Sequence, residues 1–381
     1  MKSINKLLSY FAILFFASCT QPSDMLTVIN SDGSCYREFS ENADSAFLMG
    51  NLSAEHNPFP AVIDSTWEIR WSFKNSGLRK DFPLSKAVYD SIQRITSKTV
   101  RIRNQKSKED ILVFVRRNYK SVKEMDKNFK FKKACEWNNL NVRHTLDKKR
   151  RWFFTYYTYQ EFYPKIETGL ELPLKNYMTD SESLYWFTGK PDLLAGMNGI
   201  EAKEYVTKME ENYNKWLIQN WWNIEYKVLL TNYNLLSKPP VSKDQLKALR
   251  DTIFNSIVSF NSDFEMEKTL NEYFKTKAFS ELWNKKNSPM KISEDSISKK
   301  FTFFFYPSLN YKLVMPGKII RSDNGVNQGD TLVWKLSSYR MIPSCYTIEA
   351  ESRFVNIWSF VMTGIILIYG IGCLFWKTKK R

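Results

Sequence analysis

The sequence predicts an α+β fold, mostly antiparallel sheet with a helical insertion, followed by one C-terminal transmembrane helix. Three observations carry this reading. Apolar residues alternate with period two in the first half of the chain and again after Lys300. Between about 201 and 285 they recur at helical spacing. Finally, 23 residues from Phe354 to Trp376 carry no charge. The implied organisation is a signal over 1–18, an extracytoplasmic α+β region over 19–200 and a helical insertion over 201–285. Strands over 300–353 then complete the domain, ahead of a membrane helix over 354–376 and a basic tail over 377–381.

At the N-terminus, Lys2 and Lys6 precede ten residues, Leu7 to Phe16, that are apolar apart from Ser9. That is the length of a signal-peptide core and too short to cross a bilayer. Phe16-Ala17-Ser18-Cys19 resembles a bacterial lipobox, with Phe in place of the usual Leu. The resemblance implies cleavage before Cys19 and a diacylglycerol on its sulfur. An ordinary cleaved signal or an uncleaved anchor is the alternative.

At the other end, 23 helical residues span about 34 Å, enough for a hydrocarbon core of about 30 Å. Trp358 and Trp376 sit near its ends, and Lys377, Lys379, Lys380 and Arg381 follow. Such a cluster belongs in the cytoplasm, which leaves residues 19 to about 353 outside it. The expected location is therefore the bacterial cell membrane, single-pass, with a periplasmic main domain.

The net charge is +16, and removing the six basic residues of the termini leaves +10 on the chain between them. Beside anionic headgroups this favours surface attraction, and export argues against a nucleic-acid partner. Among five cysteines, Cys19 is assigned to lipid and Cys373 to the membrane helix. Cys35, Cys135 and Cys345 remain, so at most one internal disulfide forms. Cys35 with Cys345 is a candidate pair, and three thiols is the alternative. No CxxC or Cys/His metal spacing occurs, and no cofactor is implied.

In order along the middle, Trp67, Ile69, Trp71 and Phe73 alternate as in a strand with one buried face. Val88, Ile92 and Ile95 follow at helical spacing, and KTVRIRN (98–104) and DILVFVRRNYK (110–120) read as strands. Ser121 with Glu124 is a capping pattern opening a helix through about Ala134. From Trp152 to Tyr163, eight of twelve residues are aromatic, on both alternating faces. Such a strand is either covered on both sides as core or lines an apolar ligand pocket, with Trp152, Phe154, Tyr156, Tyr157 and Tyr159 as its wall. The preceding Lys148–Arg151 run suits either a solvated hairpin end or phosphate headgroups.

The insertion begins with a stripe through Val206, Met209, Tyr213, Trp216, Trp221, Ile224 and Val228. Pro239 and Pro240 end it. Ser242 caps a second helix bearing Leu246, Leu249, Ile253 and Ile257, and Met266, Leu270, Phe274 and Leu282 mark a third. FTFFFYP (301–307) reads as a returning strand, and the remaining strands as a meander with turns at Asp323-Asn324-Gly325 and Gly329-Asp330.

Met315-Pro316-Gly317-Lys318, Asn324-Gly325, Gly329-Asp330-Thr331 and Trp334, followed by YTIEAESR and the apolar helix, resemble LppM-like envelope lipoproteins. The resemblance covers about 60 C-terminal residues and the signal. It implies an α+β envelope module, lipid-handling in character, with no catalytic residues to transfer.

Catalytic signatures are missing: there is no GxSxG, HExxH, P-loop or GxGxxG. His56 and His144 read as incidental surface residues, and Glu349 and Glu351 as a balance for Arg353. The function expected is non-catalytic binding of an apolar or amphipathic envelope ligand such as lipid, at the membrane bilayer. The alternatives are a scaffold binding an envelope protein partner through the helical insertion, and an envelope hydrolase.

Overall fold

The computed structural model describes residues 23–73, 77–103, 111–132, 140–257, 264–284, 288–305 and 308–379. The signal, Cys19 and Cys135 lie outside them. The fold is α+β, with two mostly antiparallel sheets and a set of helices, divided into two units by chain segment. One unit holds Lys165–Pro307 and Ser337–Ser344; the other holds Pro22–Pro164, Ser308–Leu336 and Cys345–Arg381.

The sheet unit contains β1 (Asp24–Ile29), β2 (Cys35–Asn42), α1 (Ser45–Leu48), β3 (Glu68–Phe73), β4 (Lys80–Asp81), α2 (Lys86–Arg103), β5 (Ile111–Tyr119) and α3 (Val122–Asn128). After these come the hairpin β6 (Arg143–Arg150) and β7 (Phe154–Tyr163). Beyond the helical unit, β8 (Ser308–Val314), β9 (Lys318–Ser322), β10 (Val326–Gln328), β11 (Thr331–Ser337) and β12 (Tyr346–Val355) complete the sheets. Eight strands form one sheet in the order β10-β11-β8-β1-β2-β5-β3-β4, and four form another, β6-β7-β12-β9. Only β1 with β8 is parallel among the registers resolved.

Period-two patterning translates directly into this sheet. Met25, Thr27 and Ile29 on β1, and Cys35, Arg37 and Phe39 on β2, face inward and are buried. Ile111, Val113 and Val115 on β5 continue the layer, each worth about 1.5–3 kcal/mol relative to exposure. Ser121 caps α3 by accepting from the Glu124 amide, but the helix ends at Asn128. Phe129 then turns extended, buried against Phe39 and Phe131.

Three expectations fail here. Residues 98–103 are not strand: α2 runs unbroken to Arg103, since no Gly or Pro interrupts its propagation. Of its expected stripe only Ile92 is buried, with Val88 and Ile95 exposed. The last strands are not a meander either. β8 lies in the eight-stranded sheet and β9 in the four-stranded one, because Met315-Pro316-Gly317 breaks the strand between them. Gly317, at φ +76°, is obligatory: a Cβ there would stand 2.4 Å from the Arg353 carbonyl oxygen. In the next turn Asn324 takes φ +55°, and Gly325 lies flat beneath the Trp334 indole, whose Nε1 donates to the Asp323 carbonyl at 2.7 Å.

The helical unit comprises α4 (Asp180–Thr188), α5 (Gly199–Asn232), α6 (Lys243–Asn255), α7 (Met266–Tyr273), α8 (Ser280–Asn284) and α9 (Pro289–Phe305). Capping boxes open three of them: Thr179 with Glu182, Asn198 with Glu201, and Ser242 with Gln245. The third expected helix is two, parted at Phe274 and Lys275, where the backbone reaches φ +49°. FTFFF (301–305) is the end of α9 rather than a strand. Trp216 and Trp222 are buried in this unit's own clusters, Trp222 against Tyr226 and Phe254.

Within that core Glu225 is 1% exposed, and its Oε1 meets no donor among the described residues. Burial pushes its carboxyl up to about 8; a hydrogen bond with Trp221 opposes this and the nearby Glu294 charge adds to it. Between pH 4.5 and 8 the folded chain keeps a proton that the unfolded chain has lost, so stability falls as pH rises through that window. Glu225→Gln is expected to raise stability at pH 7 by on the order of 3 kcal/mol and to flatten the loss between pH 5 and 8. Thermal unfolding of the purified chain across that range checks it; an unchanged slope would count against the buried, protonated acid.

Candidate functional site

Two features of the sheet unit stand out, and both are organised by β7. The strand's alternation sorts its side chains. Thr155, Tyr157, Tyr159, Glu161 and Tyr163 point inward and are buried, while Phe154, Tyr156, Thr158, Gln160 and Phe162 are half-buried or exposed. The strand is therefore fully covered on one side only. The five candidate pocket-wall residues do not form one wall: Tyr157 and Tyr159 are core, whereas Phe154 and Tyr156 lie on the opposite face and Trp152 precedes the strand.

The inward face carries a charged cluster. Arg37 and Glu161 are both fully buried and joined at 2.8 Å between Nη2 and Oε2. Cross-strand register supplies their neighbours: Thr27 opposite Arg37, and His144 opposite Glu161. Arg37 Nε donates to Thr27 Oγ1 at 3.1 Å, and its Nη1 lies 3.1 Å from His144 Nε2. The Tyr159 hydroxyl donates to Glu161 Oε2 at 2.9 Å, and that of Tyr163 to Oε1 at 2.7 Å. The guanidinium rests 4.5 Å from the Phe129 ring centroid. The same His144 Nε2 stands 3.3 Å from Glu161 Oε1, and its Nδ1 lies 3.4 Å from Asp126 Oδ1.

Burial alone would raise the Glu161 carboxyl, but Arg37 above all, then His144 and the Tyr163 hydroxyl, hold it well below the usual carboxylate range. Burial and the Glu161 charge push Tyr159 and Tyr163 far up, so both remain proton donors. The cluster is a buried knot in which the Arg37 charge is matched by that of Glu161. His144, expected at the surface, is one of its members. The signal was available: Arg37 and Glu161 each occupy the inward parity of an otherwise apolar strand face, which only a paired charge tolerates.

The second feature joins the sheet to the C-terminal helix, α10 (Ile357–Lys379). One residue, Asn356, separates it from β12, and it is buried. Its Nδ2 donates to the carbonyls of Arg151 at 2.8 Å and Trp152 at 3.2 Å, its Oδ1 accepts from Thr155 Oγ1 at 2.8 Å, and its amide donates to the Phe153 carbonyl at 2.9 Å. Around this clamp Trp152 packs edge-on to Trp358 at 5.3 Å and donates to Thr363 Oγ1 at 2.9 Å. Phe153 meets Phe360 at 4.7 Å, and the Arg353 guanidinium covers the Phe154 ring at 4.6 Å. Trp152 thus belongs to an aromatic collar at the helix root. Glu349 and Glu351 pair with Arg321 on β9, not with Arg353.

From Ile357 to Ile371 the large apolar residues of α10 are exposed on every side, with Ile368 and Tyr369 above 70%. Among the described residues no helix is long and apolar enough to cross a membrane, and side-chain positions on α10 are described only as far as Cys373. Cys35 and Cys345 are not bridged; Cys35 is buried, which pushes its thiol up to about 11, and Cys345 is exposed. No group of acidic, histidine and cysteine residues suited to a metal ion occurs among the described residues. No family model matches the chain, and neither the curated proteins nor the solved structures give a match.

Proposed function

We propose that the chain is a membrane-tethered extracytoplasmic lipoprotein whose sheet unit is mounted on a membrane helix and works at the lipid surface as a non-catalytic binding module. One observation carries this: an apolar helix whose large side chains stand exposed all round beyond its first two turns, clamped at its root by Asn356 and by the contacts of Trp152 with Trp358 and Phe153 with Phe360. A helix apolar all round needs either a protein core or lipid around it. Beyond Cys373 the sequence adds Leu374, Phe375 and Trp376 before Lys377, extending the uncharged stretch to bilayer length. Indoles at the root suit the headgroup region, and Lys148, Lys149, Arg150 and Arg151 at the end of the same hairpin suit anionic lipid. The lipobox-like Cys19 supports a second tether.

The inward face of β7 is spent on Arg37, Glu161 and their tyrosines. This favours a ligand met at the surface over one enclosed in the sheet core, and a structural role over a catalytic one for His144 and Glu161. Alkaline carbonate extraction followed by flotation tests the tether. The full chain should float with membranes, and a chain stopped after Arg353 with Cys19→Ser should not. A full chain released by carbonate would overturn the proposal.

A further inference from the structure

Strand alternation places a second group of charges on the face of the eight-stranded sheet opposite Arg37. Register sets Glu38, Arg116 and Glu68 side by side on β2, β5 and β3, with Phe114 and Arg70 paired two residues along. Arg79, just before β4, crosses over Phe114 with its guanidinium 4.0 Å from the ring centroid. It forks onto Glu38, Nη1 to Oε2 at 2.5 Å and Nη2 to Oε1 at 2.7 Å. Arg116 donates to the same carboxylate at 2.9 Å while lying 4.1 Å from the Tyr36 ring centroid. Glu38 is 5% exposed, yet both arginines keep about a third of their side chains open. Glu68, Arg70, Arg79, Phe114 and Arg116 line a cavity of about 110 Å³.

Three guanidinium groups against two carboxylates leave an excess positive charge at this cavity. Each guanidinium has five N–H donors; Glu38 engages two nitrogens of Arg79 and two of Arg116, and Arg70 Nη2 pairs with Glu68 Oε1 at 2.5 Å, which leaves N–H groups over on all three. Stacking on Phe114 and Tyr36, together with the shared carboxylate, fixes both forks before any ligand arrives. Planar forks arranged around a small space match a tetrahedral oxyanion with several acceptor oxygens better than a single carboxylate. We propose that this cavity is a receptor for a phosphate-type oxyanion, free phosphate or the phosphodiester of a lipid headgroup. Arg70, Arg79 and Arg116 are the donors, Glu38 positions two of them, and Phe114 forms the floor.

The test is calorimetric titration of the full-length chain in uncharged detergent at low salt, with inorganic phosphate and separately with glycerophosphoglycerol. Saturable binding of either is expected. Tighter phosphate binding assigns a free anion, and tighter glycerophosphoglycerol binding assigns a headgroup. Arg70→Gln leaves the Glu38 pairs in place and is expected to weaken binding about tenfold. Arg79→Lys keeps the charge but loses the fork, and a similar loss is expected. No saturable heat from either probe with the folded wild-type chain would overturn the proposal. So would binding that both variants leave unchanged, since that signals general attraction to a basic chain. Soluble probes and uncharged detergent make each result independent of whether α10 spans a bilayer.

Discussion

Arg37→Met is expected to destabilise the sheet unit by about 3–5 kcal/mol, the cost of leaving a buried carboxylate without its counter-charge. Glu161 would keep its tyrosine hydrogen bonds but lose the guanidinium at 2.8 Å. The effect has a pH signature. In the native chain the Glu161 carboxyl is held below its unfolded value, so its contribution is complete above about pH 4.5 and is lost only as pH falls through the lower folded value. Without Arg37, burial dominates and the acid protonates more readily, so the deficit of the variant should shrink between pH 7 and 4.5. Adding Glu161→Gln should recover part of the loss, because an uncharged amide no longer needs a cation. Urea unfolding at the two pH values measures this. A deficit under about 1 kcal/mol, constant with pH, would mean the pair is not buried as described.

Asn356→Leu is expected to cost about 2–4 kcal/mol and to loosen the helix root. The side chain satisfies the Arg151 and Trp152 carbonyls and the Thr155 hydroxyl, groups with little access to water once the collar closes. Leucine fills similar volume and offers none of these bonds, so the loss is polar rather than a cavity effect. Trypsin should then cut faster after Arg151 and Arg353, which flank the clamp. Equal cleavage rates in variant and wild-type chains would show that the aromatic contacts alone hold the junction.

How much of this was legible in the sequence differs from element to element. β3, β5 and β7 could be read as strands from their alternating or β-branched and aromatic runs, but aromatic residues on both faces of β7 concealed which face is buried. Helix starts at Ser121 and Ser242 could be read because capping is local chemistry. Helix ends were harder. Residues 98–103 and 301–305 are rich in β-branched or aromatic side chains, yet continue helices already nucleated upstream. The assignment of β8 and β9 to different sheets depends on the backbone of Arg353 approaching Gly317, a contact between residues distant in sequence.

The same distinction holds for the sites. The aromatic run at 152–163 marked the important strand, but period two divides it between core and outer face, and Trp152 is recruited by the terminal helix. The Arg37–Glu161–His144 cluster joins the β6–β7 hairpin to β2, more than 100 residues earlier in the chain, so His144 by itself looked like a surface residue. The Arg79 fork was hidden likewise, since Arg79 sits in a connecting segment and finds Glu38 only through the sheet.

The central claim is that α10 spans a membrane and mounts the sheet unit outside the cytoplasm. The most direct measurement is protease protection on spheroplasts, with separate antibodies to the β6–β7 hairpin and to a tag after Arg381. External protease should remove the hairpin signal while the tag survives on a short, protected fragment until detergent is added. An intact hairpin signal before detergent, or a tag lost together with the hairpin, would contradict the account.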